Sequence, residues 1–217
     1  MNYKYDAVFF DFDGTIADTG EGIFSSVEYA IEEMGFSPLP FDRLRTFIGP
    51  PIFESFRREL GMNDEQAAVA VEKYRERYSE SGIFRLRVYD GIEDLIKQIK
   101  KSGIKVAIAS SKPEKFVMRL IDYLNISPMI DFIAAPESDK APEGKTVLVE
   151  KAVNRFGVDK TRALMVGDRY FDIDGANGAG VESIGVTFGY GSREELEKAG
   201  STYLADNADD IRKIIFS

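Results

Sequence analysis

The chain is 217 residues long, 44% hydrophobic and 30% charged, the balance of an ordinary globular protein with ample length to bury a core. Its 28 Lys+Arg stand against 37 Asp+Glu, a formal net charge of -9 that argues against a nucleic-acid polymer or an anionic membrane as the main partner. With no Cys and no His, it excludes disulfides, thiolate nucleophiles, Ser-His-Asp triads, His general bases and most transition-metal sites.

Chemistry in this chain must rest on carboxylates, Lys, Arg, hydroxyls, backbone amides or a hard cation. No apolar run approaches the roughly 20 residues needed to cross a bilayer. The opening Met1-Asn2-Tyr3-Lys4-Tyr5-Asp6 leads straight into an apolar segment and lacks the profile of a secretory leader, so a cytoplasmic location is expected.

Ala7-Val8-Phe9-Phe10 reads as a short buried strand ending at Asp11. From about Asp18 to Arg85 helical stripes follow one another. Ile23, Val27, Ala30, Ile31 and Met34 form the first, closed by Gly35; Phe53, Phe56 and Leu60 form the second, closed by Gly61; Val69, Val71, Tyr74 and Tyr78 suggest a third. Beyond them strands and helices alternate. Ile92, Leu95, Ile96 and Ile99 repeat at helix spacing before Gly103, and Lys105-Val106-Ala107-Ile108-Ala109 is a strand. Phe116, Leu120 and Leu124 mark a helix after Pro113, and Phe132-Ile133-Ala134 a strand. Val147, Leu148, Lys151, Ala152 and Phe156 give a helix stopped by Gly157. Strands are expected at Ala163-Leu164-Met165-Val166, Ser183-Ile184-Gly185-Val186 and Tyr203-Leu204, with the acidic stretch Asp206 to Asp210 capping a last helix through Ile211, Ile214 and Ile215.

This order predicts a Rossmann-like α/β domain, a mainly parallel sheet with helices on both faces, formed by residues 1–17 and 86–217. A small all-helical domain, residues 18–85, is inserted after the first strand.

Ligands of open α/β sheets bind at the carboxyl ends of the strands. Three such ends carry polar groups here: Asp11-Phe12-Asp13-Gly14-Thr15, Ser110-Ser111-Lys112, and Gly167-Asp168 with Asp172 and Asp174 beyond. Taken singly, Asp11 and Asp13 are equally well read as turn residues before Gly14, and Ser110, Ser111 and Asp172 as helix caps. Together they are harder to explain as structure. Two carboxylates 4 Å apart repel by about 4 kcal/mol at an effective dielectric of 20. A cation relieves that repulsion, and hard oxygen donors without His or Cys select Mg²⁺. The glycines at 175, 178 and 180 do not follow a strand as a dinucleotide fingerprint would require, and no Walker-type phosphate loop is present.

The sequence resembles the haloacid dehalogenase-like hydrolase superfamily, in its phosphoglycolate phosphatase-like branch with a helical cap. Asp11 to Thr15 match the first motif, Ser110 the hydroxyl of the second, Lys145 the Lys of the third, and Gly167 to Asp172 the fourth, in the family's order. The segment before Lys145, Pro142-Glu143-Gly144, lacks the Lys-Pro pair common in relatives. The resemblance implies that Asp11 is the nucleophile that takes up the phosphoryl group, and that Asp13 protonates the leaving oxygen and later deprotonates the attacking water. It also implies Mg²⁺ held by Asp11, the Asp13 carbonyl and Asp168, with Asp172 behind. Ser110 and Lys145 would hold phosphate oxygens, and Ser111, Gly14 and Thr15 would line the substrate. Lys112, before Pro113, is open between a substrate contact and a surface charge. Arg119 and Arg169 read as surface charges, and Asp174 as solvent-facing or a helix cap.

An Asp at position 13 favours phosphoryl transfer to water over dehalogenation. A phosphotransferase of the β-phosphoglucomutase kind is disfavoured because no His follows Asp18-Thr19. The expected activity is therefore phosphomonoester hydrolysis on a small phosphorylated metabolite such as phosphoglycolate. The alternatives are a 5′-nucleotidase, a pyrophosphatase, and a non-catalytic binding protein of the same fold. Phe47-Ile48-Gly49-Pro50-Pro51, Phe24, Arg45 and Phe53 are expected near substrate, although amphipathic packing explains the aromatics equally well. The chain is expected to act as a monomer or homodimer.

Overall fold

A computed structural model describes residues 3–138 and 143–217. Met1, Asn2 and Pro142, which entered the sequence reading, lie outside the described residues. The chain divides into two compact units, one formed by Met1–Ala17 and Val88–Ser217 and the other by Asp18–Arg87.

The first unit is built on six strands: β1 (Ala7–Phe10), β4 (Lys105–Ala109), β5 (Phe132–Ala134), β6 (Ala163–Gly167), β7 (Glu182–Val186) and β8 (Tyr203–Ala205). Every neighbouring pair is parallel, in the order β5-β4-β1-β6-β7-β8. Its helices are α5 (Ile92–Lys101), α6 (Glu114–Tyr123), α7 (Lys145–Phe156), α8 (Tyr170–Ala179), α9 (Arg193–Lys198) and α10 (Ala208–Phe216). Ala7, Phe9, Ala107, Ala109 and Met165 pack into one core with Leu148, Val149 and Ala152 of α7 and Ala176 of α8. The alternate residues Val8, Phe10, Val106 and Ile108 are equally buried, so the sheet is covered on both faces, as a parallel sheet requires. The apolar stripe of α5, Ile92, Leu95, Ile96 and Ile99, is wholly buried, each side chain contributing roughly 1.5–3 kcal/mol. The acidic segment before α10 acts through Asn207, whose side chain caps the helix by accepting the Asp210 amide.

The second unit holds α1 (Gly20–Glu33), α2 (Phe41–Arg45), α3 (Ile52–Leu60) and α4 (Asp64–Glu80); α4 packs against both α1 and α3. Asn63 and Gln66 form a reciprocal cap at the start of α4. The buried stripe of α4 is Ala67, Ala70, Tyr74 and Tyr78, not the expected set with Val69 and Val71, and Val69 is exposed. Small alanines let α1 approach closely, and Tyr74 and Tyr78 stack at 5.3 Å to fill the remaining volume. Phe47 is buried against Phe56, so its ring is part of the packing of this unit, and Ile48 is buried as well. Arg45 is exposed. Two short strands, β2 (Ala17–Asp18) and β3 (Arg87–Val88), form a separate two-stranded sheet. Among the described residues, no helix is long and apolar enough to cross a membrane.

Candidate active site

Parallel register decides which strand ends meet. Phe10 lies level with Ile108 of β4 and Val166 of β6, so Asp11 follows beside Ala109 and Gly167. The Asp11 amide extends the ladder by donating to the Val166 carbonyl at 2.9 Å. Strand order also reverses here. The chain steps outward from β1 to β4 and β5, returns to β6 on the other side of β1, and steps outward to β8. The crevice at such a switch point is the usual ligand site of open α/β sheets.

Among the described residues, the buried charged side chains are Asp11, Asp13, Lys112, Lys145, Asp168 and Asp172. All six stand on the loops and helix starts that follow β1, β4 and β6 or open α7. Asp11, Asp168 and Asp172 each present a carboxylate oxygen, and these lie within 4.8 Å of one another.

Lys145 opens α7 and is followed at helical spacing by Leu148, Val149 and Ala152, so its side chain leaves the helix on the buried face. Its ammonium lies 3.0 Å from Asp11 Oδ1 and 2.7 Å from Asp172 Oδ1, and donates to the Ala109 carbonyl at 3.0 Å. A Cβ on Gly175 would come within 2.4 Å of the Lys145 Cγ, so α8 is bare where the lysine stem passes. Burial pulls the Lys145 pKa down, but the charges of Asp11 and Asp172 outweigh it and the group is held above its ordinary range.

Lys112 makes the second buried pair. Its ammonium lies 3.1 Å from Asp13 Oδ2, with the two side chains only 5% and 12% exposed. The surface alternative for Lys112 is therefore excluded.

Asp168 is enclosed by backbone. Its Oδ2 accepts the Tyr190 amide at 2.7 Å, and its Oδ1 lies 3.4 Å from the Thr15 hydroxyl. Gly189 and Gly191 flank that amide; a Cβ on Gly189 would meet the Asp168 Cβ at 2.3 Å, and one on Gly191 the Asp168 carbonyl at 2.0 Å. Gly14 turns at φ +88° with its Cα against the same carboxylate. The Gly189-Tyr190-Gly191 loop escapes the sequence reading, because its glycines answer to contacts with a residue distant in the chain. Their recurrence just after a buried strand was the available signal.

Asp172 accepts the Arg169 amide at Oδ2, 3.1 Å away, as a helix-start residue does. Its Oδ1 faces Lys145 as an ion pair and is the buried side-chain atom, among those described, without a well-aligned hydrogen bond. Burial, then the charges of Asp172 and Asp11, push Asp168 well above the usual carboxylate range. Burial raises Asp172 to about 6, with Lys145 opposing it and Asp11 adding to it. The four carboxylates and two ammoniums leave a formal surplus of two negative charges. That surplus, the hard oxygen donors and the incompletely bonded Asp172 Oδ1 fit a single divalent cation of the Mg²⁺ type.

Ser110 is buried, and its amide donates to the Ala134 carbonyl at 3.0 Å. Ser111, on the same turn, is half-buried. Thr15 departs from the expected substrate contact, since its buried hydroxyl is directed at Asp168. Arg169 departs from the expected surface charge. Its side chain is 14% exposed and pairs with Glu195 at 2.8 Å, the same carboxylate that accepts the Tyr170 amide at 3.0 Å. Arg119 and Asp174 are exposed.

A family model for haloacid dehalogenase-like hydrolases matches residues 8–186. The chain belongs to the haloacid dehalogenase-like hydrolase family. A 5′-nucleotidase of Pseudomonas aeruginosa is 33% identical over 99% of this chain and 97% of its own length. The tyrosine-protein kinase PtkA of Mycobacterium tuberculosis is 34% identical over 96% of this chain and 72% of its own. A solved structure from Clostridium acetobutylicum, described as a predicted phosphatase, superposes with a TM-score of 0.91 at 34% identity, covering 96% of this chain and 97% of that one. Phosphoglycolate phosphatases and a pyrophosphatase are also among the relatives. At the level of reaction class, this member of the hydrolase family is a phosphatase.

Proposed function

We propose that the protein is a Mg²⁺-dependent phosphomonoesterase that hydrolyses a small phosphorylated metabolite through an aspartyl-phosphate on Asp11. The confinement of all six described buried charges to one sheet edge supports this reading above any other observation. Burying so many charges without a task is costly, and a purely structural edge has no need of them.

In the first step an Asp11 oxygen attacks phosphorus while the bond from phosphorus to the leaving oxygen breaks. The Asp13 carboxyl gives its proton to that oxygen, and the alcohol departs. In the second step water attacks the phosphorus of the aspartyl-phosphate and passes a proton to the Asp13 carboxylate. The bond to Asp11 breaks, releasing inorganic phosphate and restoring both side chains. Lys145 holds Asp11 in place and offers positive charge to the phosphoryl oxygens as negative charge redistributes. Ser110, on the neighbouring turn, is the neutral side-chain donor for the same group, since the Asp11, Gly14 and Thr15 amides are already taken by the carbonyls of Val166, Ala17 and Phe12. Asp11, the Asp13 carbonyl and Asp168 would hold Mg²⁺, with Asp172 behind, and the bound ion supplies electrostatic stabilisation of the transferring phosphoryl group.

A nucleoside 5′-monophosphate is the leading substrate, supported by the 5′-nucleotidase relative that matches this chain nearly end to end. Phosphoglycolate, the first expectation from sequence, follows it, supported by relatives at 27% identity. The test is phosphate release from a panel of nucleoside monophosphates, phosphoglycolate, sugar phosphates and pyrophosphate. Asp11→Asn should abolish turnover while leaving the folded state intact, a loss of about 10⁴-fold or more for a nucleophile. A folded variant that keeps a tenth of wild-type activity would overturn the assignment.

A further inference from the structure

Asp13 stands two residues from Asp11 on one tight turn, yet its carboxylate is not part of the group of oxygens shared by Asp11, Asp168 and Asp172. It is drawn instead to the β4 side, where the Lys112 ammonium meets its Oδ2 at 3.1 Å. Lys145 already serves Asp11 and Asp172, so each lysine has its own carboxylate of the Asp-x-Asp pair.

The turn carrying Lys112 does not need that ammonium to hold its shape. Main-chain bonds fix it on both sides: the Ser110 amide donates to the Ala134 carbonyl at 3.0 Å, and the Glu114 amide to the Pro136 carbonyl at 2.9 Å. Pro113 fixes the backbone between them. A buried ion pair is also a poor source of net stability, since desolvation offsets most of the attraction. The cost of burying Lys112 is therefore best explained by what it does to Asp13.

We infer that Lys112 is a positioning residue for proton transfer: it holds the Asp13 carboxyl apart from the cation-binding carboxylates, in the place from which it serves the leaving oxygen. This rests on the proposed role of Asp13 as acid and base. The effect of Lys112 on rate must then follow how much the leaving group needs a proton. An alkoxide leaves only when protonated, whereas 4-nitrophenolate leaves readily without help.

The test compares kcat/KM, which reports the step that forms the aspartyl-phosphate, for 4-nitrophenyl phosphate and for the best alkyl phosphomonoester of the panel. Asp13→Asn sets the reference and should lose about 10²- to 10⁴-fold on the alkyl ester, the usual range for general acid catalysis, and far less on the aryl ester. Lys112→Met should lose about 10²-fold on the alkyl ester with the aryl ester within about threefold, and Lys112→Arg should recover part of the loss. In an Asp13→Asn background, Lys112→Met should add less than about threefold, because the two act through one proton transfer. An equal loss on both esters, a raised KM at unchanged kcat, or a full additional loss in the double variant would each overturn the inference. The two readings fail separately. If Asp13→Asn itself loses both esters equally, the acid role falls; if only Lys112→Met lacks the leaving-group dependence, the positioning role falls alone. Thermal melting of every variant, with Lys112→Arg retaining the charge, separates a loss of folding from a loss of positioning.

Discussion

At the scale of single residues, Asp168 shows what the fold tolerates for its site. It is fully buried beside two other carboxylates, and neither the Tyr190 amide nor the Thr15 hydroxyl supplies a compensating charge. Burial first, and then repulsion from Asp172 and Asp11, push Asp168 upward, and a bound cation would relieve both. Asp168→Asn keeps an oxygen for the Tyr190 amide and removes one negative charge. The metal-free variant should therefore melt about 2–4 °C above the metal-free wild type, the shift that roughly 1 kcal/mol gives a chain of this size. Mg²⁺ should raise the melting temperature of the wild type and leave the variant unmoved, and EDTA should silence wild-type turnover reversibly. A variant still stabilised by Mg²⁺ would remove Asp168 from the ligand set. Asp11, Asp13, Asp168 and Asp172 are readable in the sequence because they follow strands and share one chemical type. Lys112 is readable as a candidate contact but its pairing with Asp13 is not, because a lysine before proline looks like any loop charge until its partner across the sheet edge is known. Thr15 and the Gly189 and Gly191 pair are hidden for the same reason: their roles are contacts with Asp168, not local patterns.

At the scale of elements, the strands are legible and the helix faces less so. Parallel strands buried on both sides read as continuous apolar runs, and β1, β4 and β6 are such runs. Helix faces turn on small rotations. In α7 the buried residues are Lys145, Leu148, Val149, Ala152 and Val153, while Val147, expected to face the core, is 45% exposed. The same kind of error misplaces the stripe of α4, where alanines are buried and Val69 is not, because close helix approach rewards small residues over hydrophobic ones. In α7 the rotation matters chemically, since the stripe that buries Leu148 also aims Lys145 at Asp11. Leu148→Ala should cost 2–5 kcal/mol in chemical denaturation, the range for emptying a buried leucine site, whereas Val147→Ala should stay within about 0.5 kcal/mol. Equal costs at the two positions would mean that the helix presents the other face, and with it that Lys145 is not held where the site requires it.

At the scale of the whole molecule, the two compact units carry different inventories. The six buried charges all belong to the unit formed by Met1–Ala17 and Val88–Ser217. The Asp18–Arg87 unit buries Ser26 and Ser55 among its polar side chains but none of its charged ones, and its interior is aliphatic and aromatic. The division at Arg87 also lies within the short strand β3, which pairs with β2, so the two points where the chain passes between units are joined by a ladder of hydrogen bonds. Paired strands run about 4.8 Å apart, a gap that a few glycine and serine residues can span. Replacing residues 18–87 with such a linker should leave the parallel sheet, the Lys145–Asp11 pair and the acidic cluster in place. The shortened protein should keep a Mg²⁺-dependent rise in melting temperature and a basal, EDTA-sensitive hydrolysis of 4-nitrophenyl phosphate. It should lose the ranking among nucleotides, phosphoglycolate and sugar phosphates if the buried charges of one unit suffice for the chemistry and the inserted unit chooses the substrate, which is what the deletion tests. Retained discrimination across the panel would move specificity into the sheet-edge loops themselves. A shortened protein that keeps its circular dichroism spectrum but no longer responds to Mg²⁺ would show that the cation site is not complete within one unit.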